Sequence, residues 1–206
     1  MTILFPLQRW QIVKWSTIAI ALIFVLILLF YGVNEAGFRI AIRFTARSSC
    51  ILFLLAFCAS SLHRIKTTPF SNWLLRNRRY LGLSMAISHA FHAIAIAGVA
   101  ILTTENMVPD NLDANLGYGF ILLMTITSFK RPAAILGRRN WRILHTLGMY
   151  YLWLSFTVAF SSRLSESWLI YTPFVSILIL AVVVRLISKN NRSYLKIFFE
   201  KSKKSG

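Results

Sequence analysis

Acidic residues are scarce in this chain: 6 Asp+Glu stand against 23 Lys+Arg in 206 residues, and charged residues of both signs make up only 14%. An ordinary globular domain carries about a quarter, so the shortage of charge argues against a water-soluble fold. Disorder is excluded by the matching excess of apolar residues. They make up 57% of the chain, with a mean hydropathy of +0.63, whereas disordered chains have low hydrophobicity. A net charge of +17 in a soluble chain would point to nucleic acid. In an apolar chain, membrane topology explains it better, because cytoplasmic loops collect Lys and Arg, and no nucleic-acid partner is expected. Cysteine is scarce too. Cys50 and Cys58 lie eight residues apart on one expected helix, about 12 Å in rise and too far for a disulfide, so both are read as packing residues. The chain also lacks a Gly-rich phosphate loop of either nucleotide-binding type, so no flavin or NAD site is expected in it. Internal repeats and low-complexity tracts are missing as well.

What the chain has in abundance is apolar runs. Six are legible, over 16–33, 48–62, 80–104, 114–129, 143–162 and 167–184. A spanning helix needs about 20 residues. The second and fourth runs are short by that rule. Flanking arginines can extend the second by snorkelling, while Gly117 and Gly119 weaken the fourth. No convincing small-residue cleavage site follows the first run, which therefore reads as a span rather than a leader. The expectation is an all-α integral membrane protein, a six-helix bundle forming a single domain over 1–206, with a basic tail at 190–206.

Loop charges give the orientation. Arg9 and Lys14 precede the first run. Arg64, Lys66, Arg76, Arg78 and Arg79 lie between the second and third, Lys130 to Arg142 between the fourth and fifth, and Arg185 onward after the sixth. The opposite side carries Glu105, Asp110 and Asp113, then Arg163 with Glu166, and Arg39, Arg43 and Arg47 are the exception that falls on this outer side. Both termini are thus expected in the cytoplasm, and the brief loops suit a bacterial inner membrane. Trp10, Trp15, Tyr31, Trp73, Tyr80, Trp141, Trp168 and Tyr171 cluster at span ends and read as an interfacial belt. Tyr150, Tyr151 and Trp153 lie deeper and read as core in preference to cofactor lining.

Ionisable groups inside a bilayer are costly and each needs a reason. His63 falls at a span end and reads as interfacial. His89 and His92 lie well inside the third run, with i,i+3 spacing on one face, and His145 lies near the start of the fifth. Imidazole is a strong haem ligand, and a helical bundle can hold a porphyrin between facing helices. A proton path, a pH sensor and a purely structural bond to a neighbouring carbonyl are the other readings. Zinc is disfavoured, since no Cys or carboxylate lies at ligand spacing. Arg39, Arg43 and Arg47 follow i,i+4,i+8 spacing and form one helical stripe, turning about 40° per step. They suit haem propionates, a quinone head or a phosphate; snorkelling to lipid headgroups is the plainer reading.

Three stretches together resemble the ferric reductase-like transmembrane family. Its members include ferric reductases, the membrane halves of NADPH oxidases and the haem subunit of a bacterial methionine sulfoxide reductase system. The first stretch is Arg78-Arg79-Tyr80-Leu81-Gly82-Leu83 followed by His92. The second is Trp141-Arg142-Ile143-Leu144-His145-Thr146-Leu147. The third is Arg43-Phe44-Thr45-Ala46-Arg47-Ser48 with Ser61-Leu62-His63-Arg64 after it. The resemblance covers about residues 10–190. It implies haem b between the third and fifth helices, ligated by His92 and His145 with His89 as a substitute, and Arg43 and Arg47 toward propionates or an outer acceptor. It also implies electron transfer from a separate flavin reductase or soluble redox partner to an acceptor outside.

The chain departs from the family pattern in two places. No histidine stands near Val158 and Ala159, where the family has a second one on the fifth helix, and Arg78 replaces the inner histidine of the third. His92 lies 13 residues past Arg79 and His145 four past Trp141, an offset of nine residues or about 13 Å of rise, so the two do not face one iron. Three outcomes remain open: one protein ligand, a Met or Tyr ligand such as Met85 or Met149, or loss of the haem. The alternative function is a non-catalytic membrane scaffold or assembly subunit that kept the fold.

Overall fold

The computed structural model describes residues 7–103 and 112–204, with side chains over 7–103 and 115–189. The elements are all helical: α1 (Trp10–Tyr31), α2 (Glu35–Ile65), α3 (Pro69–Thr103), α4 (Leu112–Ile126), α5 (Lys130–Ser161) and α6 (Trp168–Lys204). Five are long and apolar enough to cross a membrane. The count rises to six if α4 and the first turns of α5, which bend by 109° between Asn115–Ile126 and Lys130–Leu136, form one broken span. Outward faces of α1 and α6 are apolar and bare, with Leu22, Leu29, Phe30, Leu169 and Leu180 all exposed. A water-soluble monomer rarely leaves so much apolar surface uncovered.

The helices outrun the apolar segments. Charge ends an apolar run, but only a backbone signal ends a helix. Gly32, at φ 85°, breaks the chain after α1. Asn34 then caps α2 by accepting from the Gly37 N–H at 3.0 Å, so the arginine stripe at 39–47 lies on α2 itself rather than ahead of it. Thr68 and Ser71 cap α3 reciprocally, each hydroxyl accepting from the other's N–H at 3.1 and 2.9 Å. Pro69 follows at the first helical position, where its missing N–H costs nothing. Gly137, at φ 77° inside α5, splits that helix, since a left-handed residue cannot continue the ladder. At the other end, the α6 backbone stays helical to Lys204, across the stretch expected as a tail. Thr104, Glu105 and Asp110 lie outside the described residues.

Side-chain pairs fix the relative directions. Arg9 with Asn77, Ser16 with Ser84 and Phe24 with Phe91 step forward together, so α1 and α3 run parallel. Phe38 with Gly98, Thr45 with His92 and Ser48 with Ser88 step in opposite senses, so α2 and α3 are antiparallel. The pairs Phe120–Tyr151 and Thr127–His145 make α4 and α5 antiparallel, and Phe160–Tyr171 and Trp153–Leu178 do the same for α5 and α6. His89 with Tyr118 and Arg79 with Phe129 step in opposite senses between α3 and the α4 stretch, so the direction alternates along the chain. The α2–α3 seam is closed by small and hydroxylic residues. Ser48 and Ser49 both bond the Ser88 hydroxyl, at 2.8 and 3.0 Å, and a Cβ on Gly98 would strike the Phe38 ring. Close approach through small residues and interhelical hydrogen bonds is how helices associate where no hydrophobic drive exists between them.

The main core lies between α2, α5 and α6, around the fully buried Phe53, Phe57 and Leu178. Cys50 and Cys58 are free thiols packed in it. Trp153 and Tyr150 pack against it too, as the core reading expects. The aromatics at the span ends differ in burial. Trp10, Trp15, Tyr31 and Trp168 are exposed, but Tyr171 is only 4% exposed. Trp141 is tied inward, its indole N–H donating to the Thr127 carbonyl at 2.9 Å.

Candidate functional site

Two cavities lie inside the bundle, with Leu152 on the wall of each. The first, of about 580 Å³, lies near the α1–α2 end. His89, His92, Tyr118, Phe156 and Ala159 line it, with Arg39, Arg43 and Arg163 among its cations. The second, of about 660 Å³, lies near the α2–α3 end and includes His145, Met85 and Met149 in its lining. Both volumes fall within the range of small-ligand and cofactor sites. Phe53 on the second and Phe156 on the first pack at 5.3 Å between ring centroids, so aromatic rings stand between the two hollows.

His92 is the most constrained of the four histidines. Its Nδ1 lies 3.2 Å from the Ile42 carbonyl and 3.1 Å from Thr45 Oγ1. The carbonyl can only accept. The Thr45 hydroxyl spends its single proton on the Ala41 carbonyl at 2.7 Å. Nδ1 must therefore carry the proton and donate it, which leaves Nε2 as the unprotonated nitrogen. Backbone i→i−4 spacing puts Thr45 in reach of Ala41, and the α2–α3 register brings both to His92.

His145 is held differently. Thr127 Oγ1 donates to the Leu123 carbonyl at 2.6 Å, so the contact of 3.0 Å between His145 Nε2 and that oxygen uses an Nε2–H donor. The free lone pair is then on Nδ1, and the ring stacks on Trp141 at 4.3 Å. His89 stacks between His92 and Tyr118, each at 5.1 Å, and its buried Nδ1 has no hydrogen-bond partner. His63 lines neither cavity.

The arginine stripe divides. Arg39 and Arg43 line the His92 cavity. Arg39 is also paired with Glu35 at 2.6 Å. Arg47, expected beside them at the cofactor, instead lies over the Tyr171 ring at 5.5 Å. His92 and His145, offset in the sequence, line separate cavities. Ala159, the position lacking a histidine, does line the His92 cavity along with Ser155, so that wall of α5 offers no imidazole. Met85 and Met149 line only the other hollow. Sequence reasoning missed Thr45 and Thr127 as partners of the histidines, and Tyr118 and Arg163 as cavity residues. Nothing local marks them, because helix register alone brings them there.

The donor set at the first cavity fits a haem from one side. Its walls are apolar over Ile96, Leu152 and Phe156, it has a histidine with a free Nε2, and Arg43 supplies a cation suited to a propionate. Among the described residues no group of three or more His, Cys, Asp or Glu could hold a bare metal ion. Compared with family models, with curated proteins and with solved structures, the chain matches none.

Proposed function

We propose that the chain is a haem-b-binding transmembrane electron-transfer subunit of ferric reductase-like type, passing electrons from a separate cytoplasmic reductase to an outer acceptor. One observation carries the reading: His92 donates Nδ1–H to the Ile42 carbonyl, and so keeps Nε2 free in a residue that lines an apolar cavity. Ligating histidines are held in this way, with the second nitrogen fixed by a carbonyl so that tautomer and ring plane are set. A b-type haem, when bound, supplies a one-electron carrier. His92 holds it, Arg43 offers a cation to carboxylates, and Phe156 and Leu152 exclude water. The reading includes six spans, with α4 and the Lys130–Leu136 corner as the broken one, both termini cytoplasmic, and a bacterial inner membrane. The strongly basic α2–α3 end supports that orientation. The scaffold reading is favoured by one observation, the imidazole-free α5 wall at Ser155 and Ala159.

Thr45→Val tests the support of His92. It removes the hydroxyl beside Nδ1 but keeps the side-chain shape. Loss of such an outer partner costs on the order of 10-fold or more in affinity, read by haem titration of the purified chain. Electron transfer itself is read in proteoliposomes with ferricyanide sealed inside and a reductant outside that does not cross the bilayer. The proposal expects bleaching of the entrapped ferricyanide that depends on the protein and on His92. A rate equal to that of empty liposomes overturns it.

A further inference from the structure

The haem reading leaves the second cavity unused. Six cations converge on it from four helices: Arg64, Arg78, Arg79, Lys130, Arg142 and Arg185. Phe53, Leu83, Met85 and Met149 give it an apolar wall, and no carboxylate lines it. The ion pairs among the described residues are Arg39–Glu35 and Arg163–Glu166, both at the opposite end of the bundle. Topology explains why cations collect in loops on one side; it gives no reason for them to surround a hollow. Two of them are drawn inward. Arg79 lies 5.6 Å over Tyr80 and 5.5 Å over Phe129, and its Nε is buried with no hydrogen-bond partner. Arg185 reaches over Phe57 at 4.3 Å and Tyr150 at 4.9 Å, and donates to the Phe57 carbonyl at 3.2 Å. A buried guanidinium N–H without an acceptor is costly, and oxyanions that accept several N–H bonds at once are its best partners.

We propose that this cavity binds an amphiphile headed by a phosphate, an acidic phospholipid of the surrounding leaflet. Its phosphate lies on Arg79, Arg142 and Arg185, and an acyl chain follows the Phe53–Met149 wall. The cations supply the phosphate chemistry. The apolar wall beside them selects a lipid over free phosphate, and the absence of lining carboxylates selects a net negative head over a zwitterionic one. The inference does not rest on the haem reading, and a colourless protein would leave it standing.

The test is native mass spectrometry of the full chain released from detergent after separate incubation with phosphatidylglycerol, phosphatidylcholine and inorganic phosphate. One retained phosphatidylglycerol per chain is expected, undisplaced by inorganic phosphate. Arg79→Gln with Arg185→Gln weakens retention at least about tenfold, the worth of lost charge-assisted bonds. Arg142→Gln, at an exposed position that folding tolerates, weakens it in the same direction. Arg138→Gln, an exposed cation of the same end that does not line the cavity, leaves it unchanged. Binding of phosphate without lipid overturns the proposal. Equal retention of both lipids untouched by the arginine changes also overturns it, as does a haem in this cavity lost in His145→Ala.

Discussion

Replacing His92 by alanine is expected to remove the b-type absorption that the proposed function gives the purified chain, and replacing His145 by alanine to leave most of it. The asymmetry follows from how each ring is held. His92 has its Nδ1 proton committed to the Ile42 carbonyl, so Nε2 is the free nitrogen without any rearrangement. His145 has Nε2 committed to Thr127 and would have to break that bond, and its stacking on Trp141, to offer the same atom. The two residues also line different cavities, so they do not share an iron. The check is a dithionite-reduced minus air-oxidised spectrum of wild type and both variants, with haem per chain quantified. Equal loss in the two variants would mean that a single haem bridges them, against the geometry described above. His89→Ala separates a further case. Its ring lies 5.1 Å from that of His92 on the same helix, so it can replace His92 as ligand but cannot face it across one iron. Haem persisting in His92→Ala and vanishing in the double variant would identify that substitution.

Phe53→Ala is expected to lower the stability of the detergent-solubilised fold by about 3 kcal/mol. This is the low end of the range for truncating a buried Phe, because lipid-like surroundings return little transfer free energy and the loss is mostly packing. Phe53 is fully buried and touches Phe57 and Phe156 at 5.3 Å each, joining α2 to α5 where the two cavities meet. For a chain of this size the melting temperature should fall by roughly 6–12 °C. The check is a thermal melt followed by circular dichroism. An unchanged melting temperature would mean that α2 and α5 do not pack as described. Ile51→Ala, at a position half exposed on the same helix, is the matched control and should change little.

The apolar runs made the existence of the helices legible, because the bilayer demands long unbroken stretches. Their ends were not, because the residues that end a helix here are not the residues that end an apolar run. Arg39, Arg43 and Arg47 interrupt hydropathy but not the α2 backbone, which starts only at the Asn34 cap. Gly137 breaks α5 inside a polar stretch where periodicity gives no warning. In the candidate site, the i,i+3 pair His89 and His92 and the depth offset of His145 were readable from spacing alone. The partners Ile42 and Thr45 were not, since they meet His92 only through the register of α2 on α3. Arg185 reads in the sequence as the first charge of a basic tail. In the fold it is a core-facing residue, and its position directly after Val184 at the end of an apolar run was the available signal.

The most direct test of the account is pyridine haemochrome quantitation on the full chain, expressed with ample haem and purified in mild detergent. The account predicts haem b at about one per chain, held by His92, whose Nε2 is left free by the Nδ1 bond to the Ile42 carbonyl. A colourless protein of normal melting temperature would contradict it and leave the scaffold reading in its place.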